Sequence, residues 1–385
     1  MSIRFLNRQF FALTLLVILF ACPAQAQDGN PFHVDVVTSF DEPWTLTFLP
    51  DGRMLVTEKK GILRVVTQDG EQLQAIQGLP VVDYGGQGGL GDVALHPDYA
   101  DNNLIYLSYA EPGVGETRGA AVMRAELQLG ERGFQLADKE VIWRQYPKVL
   151  DDGHYGHRLA FDDEGYLWIS SGERQKFTPA QDMQSNMGKV LRLNEDGSVP
   201  ADNPFVNYPD ENALVDGVGP YDEVWTLGHR NPLGMTFDQN GQLWVIEMGP
   251  AGGDELNRIE RGSNYGYPVV SNGDHYDGRK MPDHETRPEF TPPVISWTPV
   301  ISPADLMIYG GDLFSEWAGD AFAAGLSSKA IVRIDLDGDD SREVERFDMG
   351  ARIRSIEEAP DGSIWVLEDE RGESQGRLLK LTPRG

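Results

Sequence analysis

Four stretches of the chain share one pattern of apolar and polar positions. They are "FLPDGRMLVTEKKGILRVV", "FDDEGYLWISSGE", "FDQNGQLWVIEMG" and "EAPDGSIWVLEDE". In each, an acidic residue or Asn precedes a Gly, alternating apolar residues follow, and the run ends polar. Asp-Gly or Asn-Gly ahead of a period-2 run signals a turn feeding a strand. The turn glycines are Gly52, Gly165, Gly241 and Gly362. Their spacing is uneven, and weaker copies fill the gaps. "GDVALHPDYADNNLIYLSYAE" lies near 91–111 and "YGGDLFSEWAGDAFAAGLSSKAIVRIDL" near 309–336. Six units then run from about 43 to 382, roughly 55–60 residues each. Units of this kind cannot bury their faces alone, and radial repetition of four-strand units makes a β-propeller. The expectation is an all-β fold, a six-bladed propeller of four-stranded antiparallel blades spanning 30–385. Segments 30–40 and 375–382 are placed to close the ring. Trp44, Trp168, Trp244 and Trp365 fall in or beside strands and read as blade-packing core.

The remaining hydrophobic run is of another kind. Arg4 and Arg8 precede "FFALTLLVILFAC" and then "PAQAQ", which offers Ala24-Gln25-Ala26 as a cleavage site. Residues 1–26 read as a secretory signal, so the mature protein is expected in the periplasm or outside the cell, with no transmembrane domain. Cys22, the only cysteine, sits in a sequence that also resembles a lipoprotein box. Either way the mature body has no disulfide. Long Pro-rich loops at about 198–222 and 270–296 suggest function carried on a rigid scaffold. The formal net charge of −28 argues against nucleic acid, whose phosphates need a surplus of Lys and Arg. It also makes each clustered cation worth explaining.

Five stretches put polar residues on Gly-rich turns. In "YGGQGGLGDVALHP", Gln87 lies between two Gly pairs, which allow backbone to approach a flat ligand closely; taken alone, a plain tight loop is the better reading. In "DDGHYGHRLAFDDEG", His154 and His157 stand just before a strand, and neutral His is the natural base near pH 7. In "GHRNPLGMTF", Arg230 and Asn231 follow Gly228, and Pro232 fixes the chain behind them. In "EMGPAGGDELNRIERGSNYGYP", the Gly249-Pro250 turn exposes carbonyls close to Asp254 and Glu255. Such oxygens suit a hard cation; a solvated acidic turn is the alternative. The last stretch holds Lys329, Arg352 and Arg354. Alternate spacing puts the two arginines on one strand face, where they repel unless an anion sits between or above them. A polyanionic ligand gathered by Arg230, Lys329, Arg352 and Arg354 would supply that anion. Neutralising the arginine pair should then leave the ligand-free protein melting no lower.

Together, "GQGGLGDVALHPDY", "HYGHRLAFDDEGYLWISSGER", "GHRNPLGMTF", "GPAGGDELNRIERGSNYGYP" and "RIRSIEEAPDGSIWVLED" cover most of the mature chain in order. They resemble the soluble PQQ-dependent sugar dehydrogenases of the glucose/sorbosone dehydrogenase family, closest to the aldose sugar dehydrogenase branch. The resemblance implies PQQ, a tricarboxylate, lying over the central funnel. It implies His154 as the catalytic base and Arg230 as the stabiliser of the developing oxyanion. It implies Gln87, Arg230, Asn231, Lys329, Arg352 and Arg354 as cofactor contacts, with Arg174 near the rim. It implies an active-site Ca²⁺ on the carbonyls of Gly249 and Pro250, and a second, structural Ca²⁺ served by Glu255 and Tyr265. The implied reaction oxidises an aldose at C1 to an aldonolactone and passes electrons to an external acceptor, a quinone, cytochrome or dye. The chain departs from glucose-type members at Gly153, where they carry an acidic residue, at His157, where theirs is small, and in "TPVISPAD" around 298–305. These departures bear on sugar preference. Two rival readings are a Ca²⁺-dependent propeller lactonase, which has no use for Arg352 and Arg354, and a non-catalytic binding propeller, which would tolerate loss of His154.

Overall fold

The computed structural model describes residues 29–131, 133–206 and 220–384. The expected signal at 1–26, with Arg4, Arg8 and Cys22, and part of the 198–222 loop lie outside the described residues. The described chain forms six four-stranded antiparallel sheets. Five are consecutive meanders: residues 43–75, 90–144, 156–227, 232–297 and 303–348. The sixth is composite. Its inner three strands are Ile353–Glu358, Ile364–Glu368 and Arg377–Pro383, and its outermost strand is the N-terminal Phe32–Ser39. The expected closure by the chain ends is therefore present, pairing Phe32 with Pro383 and Ser39 with Arg377.

In four of the six blades a turn ending in Gly, after Asp, Glu or Asn, joins the innermost strand to the second strand. Gly52, Gly165, Gly241 and Gly362 have φ of 85°, 84°, 76° and 78°, values that an L side chain adopts only under strain. In an antiparallel meander this fixes direction. The loop entering each innermost strand and the loop leaving each second strand gather at the end opposite those turns. Gln87, His154, Arg174, Arg230, Asn231, Gly249, Pro250, Lys329 and Arg352 all lie on such loops.

Near that end every innermost strand carries an irregularity. The pairing register shifts between Pro43 and Thr45, Leu90 and Val93, Gly156 and Leu159, Pro232 and Gly234, Pro303 and Asp305, and Ile353 and Ser355. Bulges re-aim side chains. Here the bulged segments supply the channel lining: Trp44, Leu233 and Arg354 above, Asp92 and Arg158 below. Trp168, Trp244 and Trp365 are buried between blades as expected. Trp44 differs. It is 3% exposed, yet its ring lines the upper cavity with the Arg158 guanidinium 4.3 Å from its centroid.

Candidate active site

The upper end of the channel opens into a cavity of about 630 Å³. Its wall includes Gln87, Gly153, Tyr155, Arg352 and Arg354, joined by Lys59, Trp44 and Asp369. His154 lies between two of these lining residues, in a left-handed conformation with φ 48°. Three contacts hold it. The Gln87 side-chain oxygen accepts its backbone N–H at 2.9 Å, its carbonyl accepts from Arg174 N–H at 3.1 Å, and its Nδ1 donates to Glu173 Oε1 at 2.5 Å. The carboxylate partner fixes the tautomer and leaves Nε2 as the basic nitrogen. Burial pushes the His154 pKa below its ordinary 6.5, with the Glu173 hydrogen bond opposing. Hydrogen bonding to His154 and Phe177 N–H, with the charge of Arg230, outweighs burial and holds the Glu173 carboxyl below its ordinary value. The pair is thus a neutral imidazole on an ionised carboxylate.

Glu173 was not singled out from the sequence, but its signal was there. The polar end of each repeat is a glutamate after the second strand. Glu58, Glu173, Glu247 and Glu368 are all buried, and each clamps a loop at the same end of the propeller. Glu247 accounts for the cationic run at 229–230. It accepts from His229 Nδ1 at 2.7 Å and from the Arg230 backbone N–H at 2.6 Å. Arg230 donates through Nη1 to the carbonyls of Met248 (3.0 Å) and Gly249 (2.7 Å), and its own carbonyl accepts Glu173 N–H. Its Nε is buried without a partner, as are Asn231 Nδ2 and Arg354 Nε. Buried N–H groups without acceptors are rare in native folds. Arg354 lies in the cavity wall, and Arg230 and Asn231 lie against its lining residue Met248, so the three mark one region for a ligand rich in acceptors.

Several expected contacts are corrected. Arg174 is no rim residue. It is fully buried, and Nε, Nη1 and Nη2 donate to the carbonyls of Gly153, Arg118 and Asp151 while the guanidinium lies 3.7 Å from the Tyr155 ring centroid. It braces the His154 loop. Lys329 is half-exposed and faces the exposed carboxylate of Glu373 at 3.4 Å; its carbonyl accepts Met349 N–H at 2.9 Å, three residues before Arg352. The anion between Arg352 and Arg354 belongs to the protein: Asp369 Oδ2 accepts from Arg352 Nε at 2.9 Å and Arg354 Nη2 at 3.3 Å. Lys59 and Arg371 are the other cations of the cavity wall, and burial pushes Lys59 below its ordinary pKa. The glycines around Gln87 serve loop packing as much as ligand approach. A Cβ at Gly86, where φ is 50°, would sit 2.3 Å from the Asp152 carboxyl carbon. His157 lies at the cavity floor, stacked on Tyr155 and edge-on to Trp44. Burial pushes its pKa to about 3, so it is a poor base.

The oxygen-rich turn is ordered by Asp254, which accepts Gly249 N–H at 2.8 Å and Ser302 N–H at 2.6 Å. The Gly249 carbonyl offers a cation only the lone pair that Arg230 leaves free. Among the described residues no three His, Cys, Asp or Glu side chains gather as a metal site. Glu255 is buried with His284 Nε2 3.6 Å away, and both His284 nitrogens and Asn257 Oδ1 are buried without partners. Tyr265 uses its hydroxyl within its own turn, donating to the Arg258 carbonyl and accepting Glu260 N–H, so any part it takes in a cation site falls to its main chain.

Residues 40–380 match the family described as Glucose / Sorbosone dehydrogenase. Aldose sugar dehydrogenase YliI of Escherichia coli (strain K12) is 37% identical over 391 residues, covering 98% of this chain and 100% of the relative. The solved apo-form of the soluble aldose sugar dehydrogenase from Escherichia coli superposes with a TM-score of 0.82 at 36% identity, over 92% of this chain and all of that one. The PQQ-bound aldose sugar dehydrogenase from Streptomyces coelicolor superposes with a TM-score of 0.73 at 27% identity, over 92% and 98% of the two chains. The family match over residues 40–380 and the relatives aligned along nearly the whole chain show that this chain belongs to the glucose/sorbosone dehydrogenase family.

Proposed function

We propose that this protein is an exported PQQ-dependent aldose dehydrogenase that oxidises C1 of the sugar to an aldonolactone. The observation that carries the reading is the His154–Glu173 pair, 2.5 Å apart, beside Arg230 with an orphaned buried Nε. His154 Nε2 takes the proton of the anomeric hydroxyl, and ionised Glu173 steadies the imidazolium that results. Gln87 and Arg174 keep the loop in place, so the base does not reorient as the proton moves. Arg230 directs positive charge at the oxygen on which negative charge develops. When bound, PQQ supplies the hydride acceptor, and its electrons then leave to an external acceptor.

The residues present fit such a group. Arg354 Nε, Arg230 Nε and Asn231 Nδ2 need acceptors, Lys59 and Arg352 bring charge, and the Trp44 ring offers a flat face. Lys329, on the loop leaving blade 5's second strand, would add a further cation to the same group. Ca²⁺ takes six to eight oxygens, and the Gly249 and Pro250 carbonyls supply too few. The two carbonyls would hold the ion with further oxygens from water or from the cofactor. The Glu255–Asn257 cluster, with the Tyr265 main chain, is the reading for a second, structural ion. Export rests on the 1–26 segment; among the described residues no helix is long and apolar enough to cross a membrane.

The test is reconstitution. Purified protein is mixed with PQQ and Ca²⁺, an aldose and a dye acceptor, and dye reduction is followed. Turnover that requires PQQ, disappears on exhaustive chelation and returns with Ca²⁺ plus PQQ is the expected result. Dye reduction indifferent to PQQ, or none with any aldose of a panel, would overturn it.

A further inference from the structure

Exposed apolar side chains are not scattered evenly over the described residues. Of eleven large ones, five lie at the upper rim of blade 2: Val81, Tyr84, Val114, Tyr146 and Leu150. Single exposed hydrophobics are common and mean little, but these stand on three loops that are tied together. Val81 and Tyr84 belong to the connection from blade 1. Val114 is on the hairpin between the second and third strands of blade 2, and Tyr146 and Leu150 are on the connection into blade 3. The Ala110 carbonyl accepts Asp83 N–H at 2.8 Å, and Arg118 Nε lies 3.2 Å from Asp83 Oδ2. Arg118 and Val149 exchange backbone hydrogen bonds, and Lys148 Nζ donates to the Pro112 carbonyl at 2.9 Å. The three loops thus present one surface with apolar tips, where Val114 is 93% exposed and Val81 79%.

None of the five lines the cavity that holds His154, but the surface adjoins it. Gly86 and Gln87 follow Tyr84, Asp152 and Gly153 follow Leu150, and these four are cavity wall. Almost every charge on the three loops is matched within them. Lys59 faces Glu42, Lys60 faces Asp41, Arg118 faces Asp83, and Lys176 faces Asp151. Arg144 and Lys148 share Glu111. The exceptions are both acidic: the carboxylates of Glu116, beside Val114, and of Asp152 have no partner among the described residues. The surface therefore combines apolar tips with uncompensated negative charge, on a chain whose formal net charge is −28. Its complement is a cationic protein with an apolar contact, since interface cores favour Tyr over free charge and opposite charge speeds encounter. A second copy would set like charge against like, and an anionic lipid surface would repel it. A small dye or quinone reaches the cavity without needing a surface of this size.

We propose that the blade 2 rim docks a basic one-electron carrier protein, which collects the electrons released at the cavity. This rests on the aldose-oxidising reading. Oxidation of one aldose to its lactone releases two electrons and two protons. Two oxidised carriers dock in turn, each leaves with one electron, and the protons go to solvent.

The experiment assays the reconstituted holoenzyme with an aldose and either of two acceptors: mitochondrial cytochrome c, a basic haem protein, or a small dye. V114S/L150S is expected to lower kcat/KM for cytochrome c about tenfold and to leave dye reduction and the sugar KM within about twofold. E116K should lower the cytochrome c rate about threefold at low salt, and the difference should fade as salt rises. Binding of cytochrome c to the protein, followed by titration calorimetry, needs no turnover and should weaken in V114S/L150S by the same factor as kcat/KM. Equal losses with dye and cytochrome c, no loss with either, or a wild type that neither binds nor reduces cytochrome c would overturn the docking surface. If no aldose is oxidised with any acceptor but calorimetry shows binding that V114S/L150S weakens, the oxidation reading fails and the docking surface stands.

Discussion

The two ends of the propeller channel are built from the same six strands and reach opposite outcomes. Toward the lower end, Arg158 crosses the axis and satisfies every donor. Nε reaches the Leu233 carbonyl at 2.6 Å, Nη1 reaches Thr45 and Asp92, and Nη2 reaches the Ala304 carbonyl and Asp305. One side chain from blade 3 thereby stitches blades 1, 2, 4 and 5. Asp305 also accepts Ser355 Oγ–H and Ile356 N–H, which brings in blade 6. At the upper end, Arg230, Asn231 and Arg354 each keep a buried donor unpaired. A satisfied buried network specifies architecture, whereas an unsatisfied one waits for a partner. Burial alone does not separate structural from functional arginines in this fold; the state of their donors does.

The largest effect should come from breaking the satisfied end. R158M leaves Asp92 and Asp305 buried without their counter-charge, and loss of one partner of a buried pair typically costs about 3–5 kcal/mol. Urea unfolding should show that loss. Burial already pushes the Asp305 carboxyl up to about 6, so part of the loss should vanish as pH falls below that value and the carboxyl becomes neutral. A change under 1 kcal/mol would show that the lower network is dispensable and remove the contrast.

Next comes the base at the unsatisfied end. H154A should lower kcat by about 100-fold or more, the usual scale of general base catalysis, with PQQ affinity kept in a fluorescence titration. Turnover near the wild-type level would assign the proton to another group.

A third experiment asks whether the orphaned donors await PQQ. Adding PQQ and Ca²⁺ at a hundredfold excess over Kd should stabilise the wild type by about 2.7 kcal/mol, seen as a rise in Tm. R352Q/R354Q should show a smaller rise. Its ligand-free form should melt lower than ligand-free wild type, the reverse of what like-charge repulsion implies, because Asp369 loses both partners. Equal PQQ shifts in the two proteins would make the arginines Asp369's partners and nothing more.

The smallest effect concerns how His154 is poised. E173Q keeps the shape of the contact but removes its charge, and kcat/KM should fall about tenfold. The Glu173 hydrogen bond raises the His154 pKa against burial. The variant's base therefore holds its proton less firmly, and the acid limb of kcat/KM against pH should move to lower pH. A shift to higher pH would show that Glu173 does not set the base.

Much of this was legible in the sequence, and the misses share a cause. Turn glycines and alternating apolar residues are local signals, and they marked six four-stranded antiparallel blades. The chain termini read correctly as the closing strands, because an unpartnered strand at each end of a cyclic repeat has nowhere else to pair. Gln87, His154, Arg230, Asn231, Arg352 and Arg354 were readable because Gly-rich loops before innermost strands all emerge at one end. Which groups meet across blades was not readable. Asp369 reaches Arg352 and Arg354 from the far end of a neighbouring strand, Lys59 comes to the cavity from blade 1, and Arg174 turns inward under the loop it was expected to flank. Lys329 turns out to Glu373. The bulges that bring Trp44, Arg158 and Arg354 to the channel interrupt the period-2 pattern from which faces are read. The sequence by itself determined the repeat, because turn and strand preferences act over a few residues. Only the tertiary structure decided which charges are paired and which donors are left open, because those pairings join residues far apart in sequence, 146 positions in the case of Arg158 and Ala304, and depend on burial that no local pattern encodes.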